Sequence, residues 1–198
     1  MDGAELFSRC LDQTTGVVKQ VRPEQLANAT PCADWHVWDL INYMLSELAA
    51  VAPLIAGVAL ESAGALEIDA ETSADAESDI DLSEEWQKMA DSAEAAVAEA
   101  DPEGLAKPAD GPLSNDDYLR RVATEILLYG WCLASAIGRP LTFDPGAAQA
   151  AYEYAAGAAR RVPPPAGMAE PISVTATAPL QTKLLALYGH SPAWQSTS

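Results

Sequence analysis

The sequence predicts an all-α protein: a four-helix bundle over residues 1–140, with a short helical and extended appendage over residues 141–198 packed on it. Three observations carry this expectation. Four long apolar patterns recur at helical period and are marked by capping residues. No run of alternating strand-forming residues repeats along the chain. The length of 198 residues, 49% of them hydrophobic, suits one compact core and not two large domains.

Asp2 followed by Glu5 has the spacing of a capping box, and Leu6, Cys10, Leu11, Val17, Val18 and Val21 continue at near-helical intervals. A first helix is expected from Gly3 to Val21. Pro23 and the stretch ANATPCADW interrupt it, after which VWDLINYMLSELAAVAPLIAGVAL predicts a long second helix with Pro53 as a kink or break. Residues 61–81 are acidic and small, with too little apolar surface to specify one structure; a long mobile loop, able to serve as a lid, is expected there. Asp81 and Glu84 form a second capping box, and Trp86, Met89, Ala93 and Val97 mark the third helix. The linker DPEGLAKPADGPL leads to a third box, Ser114 with Asp117, and a fourth helix that runs to a C-terminal cap at Gly138. Asp144 before Pro145 starts a short fifth helix, which the PPP at 163–165 ends. ISVTATA reads as extended or as a small strand, and PLQTKLLALYG as a final short helix capped by Gly189.

Charge narrows the function. With 29 acidic against 11 basic residues and a formal net charge of -18, the surface repels polyanions, which argues against nucleic acid and anionic membranes as partners. Three cysteines, an odd number without paired-motif spacing, read as neither a disulfide framework nor a zinc ribbon and fit a reducing compartment. The start MDGAELFSRC has no basic segment before an apolar core, and no apolar run approaches the ~18 residues of a membrane span. A cytoplasmic protein is expected.

The chemistry concentrates in EILLYGWCLA, residues 125–134. On a helix Glu125, Tyr129 and Cys132 share a face flanked by Val122, Ile126 and Leu133, so the polar groups should point inward. An ionised carboxylate is costly to bury alone; Glu125 must be paired, hydrated, protonated or bound to a metal. A glutamate hydrogen-bonded to a tyrosine that pins helix register is the plainer reading. In the second helix Asp39, Tyr43 and Glu47 recur every four residues beside Leu40, Met44, Leu48 and Val51, either as a matching inner stripe or as a solvated edge. Cys132 has no cation near it in sequence and reads as a buried inert thiol before a nucleophile. His36 and His190 read as ordinary surface histidines, too far apart to share a metal site. No phosphate loop, GxSxG elbow or HExxH motif is present.

TPCADWHVWDLINYML and ATEILLYGWCLASAIGRP, with LLALYG and GHSPAW near the C-terminus, resemble the actinobacterial DinB-like family of mycothiol-dependent maleylpyruvate isomerase relatives over nearly the whole chain. The resemblance implies a DinB-like four-helix bundle with a divalent-metal site on its inner face, used with a thiol such as mycothiol. In those relatives a histidine of the second helix and a glutamate-x3-histidine pair of the fourth ligate the metal. The matching positions here are Tyr43, Glu125 and Tyr129, and only the glutamate is kept. Cys132 stands for the family aspartate, and His190 for an arginine of the C-terminal turn. One carboxylate and two phenols of pKa near 10 should hold zinc poorly, so no cofactor is expected, although the resemblance allows mycothiol or a divalent metal.

The expected function is a small-molecule enzyme that has lost the zinc triad. Tyr43 and Tyr129 would donate to a substrate oxygen, and Glu125, raised in pKa by desolvation, would act as general acid or base in an isomerisation, elimination or cyclisation. A non-catalytic small-molecule-binding protein and a metal- and mycothiol-dependent transferase with a changed ligand set are the alternatives. Trp194 and the terminal turn could pack on the bundle or on a second copy in a homodimer.

Overall fold

The computed structural model describes residues 1–59, 81–158 and 165–194, so the expected acidic loop at 61–81 lies, but for Asp81, outside the described residues. In chain order the elements are α1 (Gly3–Val18), a single 3-10 turn (Pro23–Gln25), α2 (Val37–Ile55), α3 (Leu82–Glu99), β1 (Leu105–Ala106), β2 (Leu113–Ser114), α4 (Asn115–Ala136), α5 (Pro145–Ala158) and α6 (Leu180–Leu187). The architecture is all-α apart from the two short strands, which pair antiparallel within the stretch expected to be a plain linker. Two residues per strand are too few for an alternation to show in the sequence. Among the described residues 172–178 form no strand.

The capping signals place the helix starts well. The Asp2 carboxylate accepts from the Glu5 amide at 2.8 Å, that of Asp81 from the Ser83 amide at 2.9 Å, and the Ser114 hydroxyl from the Asp117 amide at 3.1 Å. Helix ends are less legible. α1 stops at Val18 because the amides of Gln20 and Val21 reach back three residues, to Val17 and Val18, and tighten the last turn. α2 stops at Ile55, short of its apolar pattern: Pro53 falls in the last turn and Gly57 follows with φ +77.

α4 is the central element, with residues 126–134 all buried. It packs most extensively on α1, and also on α2 and α5. The two helices run in the same direction: the Gly3 amide donates to the Asp116 carboxylate near both starts, and the Thr14 hydroxyl donates to the Ile126 carbonyl at 3.1 Å farther along. Gly130 permits the close approach. A Cβ there would collide with the Thr14 hydroxyl and lie 3.2 Å from its Cβ and Cγ2. α3 joins through Trp86, fully buried, whose indole donates to the Thr15 hydroxyl at 2.8 Å.

The C-terminal elements share this core. Ala147, Ala151 and Ala155 of α5 and Leu184 of α6 are fully buried in it. The Gln181 side chain ties them together, accepting from the Phe143 amide at 3.1 Å and donating to the Leu141 carbonyl at 2.9 Å. Trp194 packs partly against the chain's own core. Among the described residues no helix is long and apolar enough to cross a membrane.

Gly130→Ala should therefore destabilise the fold by about 1–3 kcal/mol, the overpacking cost exceeding the ~1 kcal/mol that alanine gains in helix propensity. Urea denaturation reads it. A variant as stable as the wild type would mean that α1 and α4 are free to separate.

Candidate functional site

With Ile126 and Gly130 committed to α1, the face of α4 that carries Glu125 and Tyr129 is turned toward α2. There Tyr43 meets Tyr129 edge to face, ring centroids 5.3 Å apart at 65°. Trp35, from the turn before α2, completes an aromatic wall, its ring 4.9 Å from Tyr43 and 6.2 Å from Tyr129. Tyr129 is fully buried and donates its hydroxyl to the Ala166 carbonyl at 2.7 Å. Tyr43, Glu47 and Glu125 are half-buried, so water reaches all three.

Electrostatics make the niche unusual. Burial, then the neighbouring Glu47 charge, pushes the Glu125 carboxyl up to about 8, with Arg121 opposing and Asp110 adding to the rise. Burial also raises Glu47, but the Arg121 charge and the Tyr43 hydroxyl pull it back. Among the described residues Arg121 is the one cation acting on both carboxyls, and it is shared: its Nη1 donates to both Asp110 carboxylate oxygens at 2.8 and 2.9 Å, and its guanidinium lies 5.5 Å from the Tyr118 ring centroid. Five of the six tyrosines feel the Glu125 charge: Tyr43, Tyr118, Tyr129, Tyr154 and Tyr188, each raised first by burial, Tyr154 to about 12. These phenols hold their protons at neutral pH.

Helical spacing puts Glu125, Tyr129 and Cys132 on one face and leaves Tyr43 and Glu47 as either a matching stripe or a solvated edge; the structure brings Tyr43, Glu47, Glu125 and Tyr129 together and sends Cys132 elsewhere. Arg121, one turn before Glu125, carried the same signal and was passed over. Tyr154 and Tyr188 arrive from α5 and from the turn after α6, and no local spacing could have announced them.

Zinc does not fit at Tyr43, Glu125 and Tyr129. Two phenols and one carboxyl are a poor donor set for it, since each phenol must lose a proton to bind well, and the Tyr129 hydroxyl is already committed as donor to the Ala166 carbonyl.

Cys132 belongs to a different group. Its Sγ lies 3.5 Å from His190 Nε2, and Cys32 from the TPC turn completes a cluster whose donor atoms are all within 4.8 Å of one another. The reading of His190 as a surface histidine is corrected: it is 4% exposed, its ring lies beside Trp131, and burial pushes it down to about 4, which keeps the imidazole neutral. The expectation that no histidine joins a metal-type group is corrected with it, because cysteines a hundred residues apart meet here with no spacing to betray them. Burial raises the Cys132 thiol well above its ordinary value, with Cys32 adding to the effect. All three cysteines are free, and Cys10 is buried on α1.

The family model described as mycothiol maleylpyruvate isomerase N-terminal domain matches residues 7–134, well over half of the chain, and the chain belongs to that family. No curated protein matches it. No solved structure matches it either.

The Glu125 carboxyl makes stability depend on pH with a definite sign. Its native value, about 8, stands above the ordinary glutamate value of 4.5, so the native state binds the extra proton between these limits and stability falls as pH rises through them. Glu125→Gln should remove that slope: little changed near pH 4, the variant should exceed the wild type above pH 8 by on the order of 2 kcal/mol. Chemical denaturation across this range measures it, and parallel curves would show that the carboxyl is not desolvated.

Proposed function

We propose that this member of the mycothiol maleylpyruvate isomerase N-terminal domain family is a small-molecule enzyme that moves protons between Glu125, Glu47 and a bound oxygen-bearing substrate. One observation carries the reading: two carboxyls with unequal affinity for a proton share a solvent-reachable niche walled by phenols and an indole. Pairs of titratable groups pushed apart in this way divide into an acid and a base.

Glu125 holds its proton at neutral pH and is the general acid. Glu47, kept the more acidic by Arg121 and Tyr43, is the base. For a small oxo or unsaturated acid, Glu47 removes a proton from the carbon beside a carbonyl while Glu125 delivers its own to the carbonyl oxygen. The conjugated enol that forms takes the proton now on Glu47 at its remote carbon while its O–H proton returns to Glu125, which re-forms the carbonyl and restores both carboxyls. Tyr43, half-buried, adds a hydrogen bond to the substrate oxygen. Tyr129 serves as wall, its hydroxyl held by Ala166. Cys132 takes no part in the transfer, since it lies in the sulfur and imidazole cluster.

A second reading, a binding protein without turnover, is favoured by the aromatic wall alone, which offers a stacking face whatever the carboxyls do. Small oxo and unsaturated acids, with and without a thiol, should be incubated with the protein in D2O and followed by NMR. Carbon-bound deuterium or isomerised product is expected, falling above pH about 8 as Glu125 ionises and dropping by about 10²–10⁴-fold in Glu125→Gln and Glu47→Gln. Saturable binding without exchange would favour the second reading. Turnover untouched by Glu125→Gln would refute the proton-transfer assignment.

A further inference from the structure

The Cys32, Cys132 and His190 cluster has no part in that proton transfer, yet its construction needs explaining. Each donor is supplied by a different part of the fold and held there. Cys32 sits in a turn whose backbone amide donates to the Thr30 hydroxyl at 3.2 Å, while the same hydroxyl donates to the Trp35 carbonyl at 2.9 Å. Cys132 is fixed on buried α4. His190 follows Gly189, whose φ of +76 turns the chain, and its amide donates to the Leu185 carbonyl at 3.0 Å. A third sulfur lies against the imidazole, Met168 Sδ, 2.7 Å from His190 Nε2.

A buried imidazole nitrogen ordinarily faces an oxygen or a water. Here Nε2 faces two sulfurs, which are weak hydrogen-bond partners. Two thiols and a neutral imidazole are what a thiophilic cation requires, and the spacing suits one. With Zn–S near ~2.3 Å and Zn–N near ~2.0–2.1 Å, tetrahedral coordination separates sulfur from nitrogen by about 3.6 Å and sulfur from sulfur by about 3.8 Å. The observed 3.5 Å between Cys132 Sγ and His190 Nε2 matches the first value, and the other pairs, all within 4.8 Å, need close by only about 1 Å to reach theirs. Charge decides the metal: two thiolates and a neutral imidazole cancel a divalent cation and leave no net charge in the core, whereas a monovalent one would leave an uncompensated anion there.

We propose that Cys32, Cys132 and His190 form a zinc site that clasps the TPC turn and the C-terminal turn to α4. The clasp is distinct from the Glu125 niche.

The test uses the full chain, reduced and freed of metal, titrated at pH 7 with zinc against a chromogenic chelator and, separately, with cobalt. Expected are one zinc per chain and a thiolate-to-cobalt charge-transfer absorption. Cys132→Ser, Cys32→Ser and His190→Ala should each weaken zinc binding by 10²-fold or more, while Cys10→Ser and Glu125→Gln leave it unchanged. Retained binding in Glu125→Gln keeps this result separate from the fate of the proton-transfer reading. Should a cluster variant fail to fold, alkylation of the wild type decides: zinc must protect Cys32 and Cys132 in the mass spectrum and leave Cys10 unaffected. No stoichiometric zinc, binding that survives loss of the cluster, protection that misses these two thiols, or a site filled by copper(I) alone would overturn the assignment.

Discussion

The close contact between α1 and α4 is the constraint from which the rest follows. Thr14 donates to the Ile126 carbonyl and occupies the space that a side chain at position 130 would need. That contact sets the rotation of α4 about its own axis, and a helix with one face fixed has the others fixed too. Turned this way, Glu125 and Tyr129 confront α2, and Cys132, almost two turns beyond Glu125, looks toward the TPC turn and the C-terminus. A rotation of one residue, about 100°, would exchange polar groups for Ile126 and Leu133 and dissolve both centres at once.

Charge then works on what packing has arranged. The chain is strongly acidic, and among the described residues one guanidinium, that of Arg121, serves Asp110, Glu47 and Glu125 together. It cannot neutralise all three. Asp110 has the direct contact and Glu47 has a phenol as well, so the deficit falls on Glu125, the carboxyl that keeps its proton. Burial raises both carboxyls first, and the unequal help they receive from Arg121 and Tyr43 then separates them, so the difference needs no special chemistry in the glutamate itself.

The same logic explains how much could be read in advance. Helical period and capping residues marked α1 to α4, because those signals are local. The Glu125, Tyr129 and Tyr43 grouping was legible because i, i+4 spacing defines a face, and the resemblance put the two faces opposite each other. Helix ends escaped because a tightened last turn and a proline in the final turn do not alter the apolar pattern. Tyr154, Tyr188 and the pairing of Cys32 with Cys132 and His190 escaped for a deeper reason: each depends on contacts between distant parts of the chain, and sequence spacing records nothing about them.

The C-terminal segment is where the two centres meet. Ala166 supplies the carbonyl that holds Tyr129, Gly167 packs so tightly on Cys32 and Trp35 that a Cβ would stand 3.0 and 3.2 Å from them, and Met168 faces His190. Three consecutive residues therefore touch the wall of the proton niche, the TPC turn and the sulfur cluster in succession. Whatever draws Cys32, Cys132 and His190 together also presses this segment onto Tyr129 and Trp35. Loosening it would let water reach the buried phenol and relieve the desolvation that raises Glu125, so the acidity of the niche depends on how firmly the C-terminal turn is held.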